Sequence, residues 1–198
     1  MPDKIILNQK FWNMREEDLP CLITYGNKSG GSYFSVVTLA NLLLAGSKVL
    51  LFTAYPMAKD NFLGQIKGGG QDVSYISNES ELNSKTGAII IESGNEELFL
   101  KALEKLDDIE DRVVLIKNIE VFDSTTIEAC LKLKKVIISG DIDLCSSNKL
   151  IMDKQFNTIV IFSNPKVTLS FDVPELEKYK GYLWSINSKG IVAVQKEN

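Results

Sequence analysis

Short apolar runs rich in isoleucine and valine recur along the chain, separated by segments whose apolar residues return every three or four positions. The runs are residues 21–25, 48–53, 72–76, 87–92, 112–116, 135–139 and 158–163. Several show no polar alternation, as strands covered on both faces require. Between them, residues 32–45 place Val36, Leu39, Ala40 and Leu43 on one helical face, and Gly46 supplies a C-terminal stop. So many other positions of this helix are apolar that it is expected to lie centrally. A second helix follows Pro56, with Phe62, Leu63 and Ile66 spaced to pack inward. A third, residues 96–106, sets Leu98, Phe99, Ala102, Leu103 and Leu106 in one stripe. This alternation predicts an α/β fold with a mainly parallel sheet and helices on both faces.

The two ends differ from this pattern. Residues 4–7 read as an added edge strand. Residues 182–187 and 190–195 alternate around Asn187-Ser188-Lys189-Gly190, which predicts an antiparallel β-hairpin appended to the sheet edge. Gly68-Gly69-Gly70 is read as a loop rather than a boundary, so residues 1–198 are expected to form a single domain, with the terminal hairpin at 180–196. Tyr182 and Trp184 share one side of that hairpin, and Phe11, Trp12 and Met14 precede the first core strand. The hairpin pair could face a partner or fill a satellite core, and the N-terminal three could clamp that segment onto the sheet or onto a neighbouring subunit.

Composition narrows the chemistry. A net charge of -4 argues against sequence-independent nucleic-acid binding. Lys132, Lys134 and Lys135 fall at an expected helix-to-strand junction, where cations complement a helix C-terminus. The absence of histidine excludes a Ser-His-Asp or Cys-His nucleophile. Cys21, Cys130 and Cys145 lack a C-x-x-C spacing and read as buried thiols of a reducing compartment. The N-terminus has no apolar stretch of signal-peptide length and the longest apolar segments are too short to span a bilayer, so a cytoplasmic protein is expected.

The most informative segment runs from Cys21 through Gly26-Asn27-Lys28-Ser29-Gly30-Gly31-Ser32-Tyr33. A strand passes through a Gly/Ser-rich turn straight into a helix, the context of a phosphate-binding loop. Such a turn can aim several backbone N–H groups inward, and the helix start adds positive potential. Gly26 and Gly31 stand at the two glycine positions of G-x-x-x-x-G-K-[ST]. Ser32 then occupies the place of the phosphate-reaching lysine, and Tyr33 that of the magnesium-binding hydroxyl. Lys28, inside the loop, is the cation left to reach a phosphate. On the bland reading, the glycines simply make a tight strand-to-helix turn.

This order of strand, Gly-rich loop, apolar helix and second strand Lys48-Val-Leu-Leu-Phe-Thr53 resembles the ATPase core of the RecA and KaiC-like families, over most of the chain. The resemblance implies a catalytic glutamate after the second strand, where this chain has Ala54, Tyr55 and Pro56. It also implies a Walker B aspartate after Val113-Val114-Leu115-Ile116, where Lys117 and Asn118 stand instead. A lysine there would repel a divalent cation. Glu120 follows, with no direction set by its spacing. N-terminal docking is common among such proteins, so the resemblance casts residues 1–20 as a docking segment.

The resulting expectation is a non-catalytic, degenerate P-loop protein without cofactor or metal. It would be a structural or regulatory subunit bound to another protein, either an active ATPase relative or itself. The alternative is a nucleotide-binding switch or weak ATPase that holds ATP or ADP with Lys28 and magnesium with Glu120 or Asp141. A carboxylate metal site of Glu92, Asp141 and Asp143 is a third arrangement, against which Asp141 reads as a helix cap.

Overall fold

The computed structural model describes residues 4–7, 10–11, 14–66, 71–82, 87–92, 95–164, 173–177, 179–185 and 189–195. Two short strands open the chain, β1 (Lys4–Leu7) and β2 (Lys10–Phe11). The apolar runs become β3 (Cys21–Tyr25), β4 (Val49–Thr53), β5 (Val73–Tyr75), β6 (Ala88–Ile91), β7 (Val113–Lys117), β8 (Val136–Asp141) and β9 (Thr158–Ile161). The hairpin follows as β10 (Lys180–Ser185) and β11 (Lys189–Gln195). All eleven join one sheet in the order β2-β1-β11-β10-β9-β3-β8-β7-β4-β6-β5. From β9 to β5 every neighbouring pair is parallel, and from β9 to β2 every pair is antiparallel.

Helices cover both faces. Helices α1 (Gly31–Leu44) and α2 (Pro56–Ile66) pack on one side, against Ile23, Leu51, Leu115 and Ile137. Helices α3 (Glu96–Lys105), α4 (Ser124–Lys132), α5 (Ile142–Ser147) and α6 (Lys149–Asp153) lie on the other, against Leu50, Phe52, Val114 and Ile138. Helix α1 is buried on nearly every side, as its composition requires. Phe34 of α1 meets Phe162 with ring centroids 4.8 Å apart. On the opposite face Phe52 stacks against Phe99 at 4.2 Å and Phe122 at 4.5 Å. Cys21, Cys130 and Cys145 are all buried and unoxidised, and burial pushes each thiol upward.

The N-terminal ends of the central strands are clamped by a buried ion pair. Arg112 is wholly buried, donates to both Asp108 oxygens at 2.9 Å, and reaches the carbonyls of Val49 at 3.3 Å and Gly87 at 3.4 Å. Lys48 adds a 2.8 Å contact to Asp108. These cations hold the Asp108 carboxyl below the usual range against the cost of its burial.

Two expectations about the edges change. Residues 4–7 do form a strand, but β1 is flanked by β11 and β2, so the two-residue β2 is the edge. The hairpin is therefore interior, because the N-terminal segment supplies β11 with a second partner, Lys4 through Leu7 pairing Gln195 through Val192. Lys132 ends α4 as expected, while Lys135 pairs with Glu16 at 2.8 Å. The Gly68-Gly69-Gly70 loop and the Asn187-Ser188 turn lie outside the described residues, as does Trp12; of Phe11 only the backbone, in β2, is described. Tyr182 and Trp184 are half-buried in β10. Among the described residues no helix is long and apolar enough to cross a membrane.

Candidate functional site

The turn after β3 is compact. The Ser29 amide and hydroxyl both donate to the Gly26 carbonyl, at 3.3 and 2.9 Å. Gly30 caps α1 at φ 95°, a backbone region that side chains disfavour. A Cβ on Gly31 would fall 2.6 Å from Tyr25 Cβ and 2.9 Å from Phe162 Cβ. Only glycine lets the helix start this close to β3 and β9. The Tyr33 and Phe34 amides donate to the Gly30 carbonyl, which leaves the Gly31 and Ser32 amides without an acceptor within the helix, at the positive end of its dipole.

Beside this turn lies a cleft of about 580 Å³, whose lining includes Lys28, Ser32, Tyr33, Asn118, Glu120 and Asp141. It sits beyond the C-terminal ends of β3, β7 and β8, where open parallel sheets bind ligands. The backbone singles it out as well. Lys28 (φ 57°), Asn118 (φ 62°) and Tyr179 (φ 65°) are the non-glycine residues with positive φ among the described residues, and all three line this cleft. Strain of about 1–3 kcal/mol per residue persists only where the surroundings impose it, and it concentrates at functional sites.

Beneath the turn, Lys117 ends β7 almost fully buried, at 2% exposure. Its ammonium donates to Tyr25 Oη at 2.5 Å and lies 4.5 Å from the centre of the same ring. Burial pulls this amine down to about 7, with the Glu120 carboxylate partly opposing the fall. Burial, then the nearby Glu120 charge, push the Tyr25 phenol up. Asn118 Nδ2 donates to both Tyr25 Oη and Glu120 Oε1 at 3.3 Å. Glu120 Oε2 is buried and accepts no hydrogen bond among the described residues.

The structure thus gathers the residues 26–33 loop, Asn118, Glu120 and Asp141 at one cleft, with Lys117 immediately below. Tyr33 turns its phenol towards α2, where it accepts from Gln65 Nε2 at 2.6 Å. Asp141 Oδ1 caps α5, accepting from the amides of Asp143 at 2.9 Å and Leu144 at 3.2 Å. Glu92 stays apart, three strands away after β6, paired with Lys59 at 2.9 Å. Among the described residues no group of three or more metal-ligating side chains forms, so the Glu92, Asp141 and Asp143 site is not assembled. The direction of Glu120 was not readable from its spacing. The available signal was Gly140, a glycine within a strand, because a Cβ there would fall 2.3 Å from Glu120 Oε2.

No protein-family model matches the chain, and no curated protein matches it in sequence. Solved structures do. The genome packaging NTPase B204 of Sulfolobus turreted icosahedral virus 2, in complex with AMPPCP, aligns over 93% of this chain and all of its own, with TM-score 0.59 and 14% identity. ATPases 2 and 3 of EssC from Geobacillus thermodenitrificans align over 98% of this chain and 41% of theirs, with TM-score 0.65 and 13% identity. The fold is that of P-loop NTPases. The pCW3 conjugation coupling protein TcpA, with ATPgS, aligns over 96% of this chain and 65% of its own, with TM-score 0.53 and 12% identity. Within this P-loop fold, β3 and α1 flank the turn, and β7 occupies the second strand beyond β3.

Proposed function

We propose that this chain is a P-loop protein that no longer hydrolyses nucleotide, a degenerate RecA or KaiC-like core serving as a structural or regulatory subunit of a protein assembly. The observation that carries the reading is Lys117. The strand end that should present an aspartate to magnesium instead packs a lysine under Tyr25. Phosphoryl transfer depends on positioned charge, and the catalytic lysine, the magnesium hydroxyl and both catalytic carboxylates are replaced at their places by Ser32, Tyr33, Ala54 and Lys117. Magnesium finds little support among the residues present, because Asp141 spends one oxygen on a helix cap and Lys117 stands where an aspartate should, leaving Glu120 as the other carboxylate lining the cleft. Neighbours named for genome packaging and conjugation coupling support a place within a larger machine, whose partner would be another protein, an active ATPase relative or a second copy.

Purified protein should release phosphate from ATP no faster than buffer, with or without magnesium. Turnover that disappears in Lys28→Ala would overturn the proposal. A second reading, a nucleotide switch or weak ATPase, draws on the meeting of Lys28 and Glu120 at one strained cleft. Calorimetry separates the two. The switch requires ATP or ADP binding that magnesium strengthens at least tenfold and Lys28→Ala abolishes.

A further inference from the structure

A second cavity, of about 210 Å³, lies on the opposite face of the sheet, between strands β3, β9 and β10 and helices α5 and α6. Leu22, Ile161 and Trp184 form its strand wall, and Cys145, Ile151 and Phe156 close it from the helix side. It is separate from the loop cleft, because Leu22 and Thr24 alternate with Ile23 and Tyr25, which face α1. Its size suits one aromatic ring with a short substituent, since an apolar cavity of about 150 Å³ already accommodates benzene. An indole wall offers such a ring stacking or edge contacts.

The polar lining residues fix the rest of the ligand. They are Thr24, Ser146 and Lys154, and among the described residues no carboxylate lines the cavity. Ser146 is committed to the Ile142 carbonyl at 2.5 Å. Lys154 donates to the Leu131 carbonyl at 2.6 Å, which uses one of the three protons of an ammonium and leaves two. An acceptor carrying negative charge is the group these protons would favour, and charge-assisted bonds of this kind are the stronger ones.

We propose that this cavity binds a small amphiphilic acid, an aromatic body of about one ring bearing a carboxylate that meets Lys154. The probe is phenylacetate, with its neutral counterpart phenylacetamide and with acetate as controls. In a Trp12→Phe background Trp184 is the remaining tryptophan, since the chain has two. Phenylacetate should change Trp184 emission saturably and raise the melting temperature. Phenylacetamide should bind at least tenfold more weakly, and acetate should do neither. Lys154→Met should erase the difference between acid and amide, and Ser146→Phe, which fills the cavity, should abolish both responses. If Ser146→Phe does not fold, Lys154→Met decides alone. No saturable response to phenylacetate, or an acid preference that survives Lys154→Met, overturns the proposal.

Discussion

Lys117 puts an amine whose charge changes near neutrality inside a protein without histidine. Its folded value is depressed, so between about pH 7 and 10.5 the unfolded chain holds a proton that the native one has released. Stability should therefore rise with pH across that window, by at most about 1.4 kcal/mol per pH unit. Below it, the full cost of burying an ammonium is present. Lys117→Met should flatten this slope in urea titrations from pH 6.5 to 9.5 and match or exceed the native stability at the acid end. A slope unchanged by the substitution would refute this account. Gly31 gives a steric counterpart. Gly31→Ala forces a methyl group against Tyr25 and Phe162, and should cost about 1–3 kcal/mol by the same titration.

At the scale of elements, the parallel strands were legible because each is an unbroken apolar run, and β3 matched residue for residue. Helix α1 was equally plain. Short α5 was signalled only by its Asp141 cap and α6 was hidden, since six and five residues give too few turns for a periodic stripe. The position of β1 could not be read either, because strand pairing across nearly the whole chain leaves no local mark. At the site, the loop residues were readable from their glycines, whereas the burial of Lys117 depends on a tyrosine 92 positions earlier. The Arg112 clamp is likewise a contact between elements. Asp108→Ala leaves a buried guanidinium without its counter-ion and should cost about 3 kcal/mol. Because the Asp108 carboxyl is held low, its contribution is full above the ordinary carboxylate range and is lost as pH falls through the depressed folded value. The urea midpoints of native and Asp108→Ala proteins should therefore converge in acid.

For the molecule as a whole, the sheet is completed by a strand from the far end of the chain. Removing residues 1–13 would bare the outer edge of β11 along its pairing with β1, a template for adding strands from other chains. Light scattering should show the truncated protein associating at concentrations where the full chain does not. The three thiols extend this view of the whole. They sit in β3, α4 and α5, on three different elements, and burial keeps all of them in the unreactive form. An alkylating reagent can thus mark each one only when its own element opens. Three labelling rates, separated by mass spectrometry, amount to a built-in clock that times the loosening of the strand beneath the loop against that of the helices behind it.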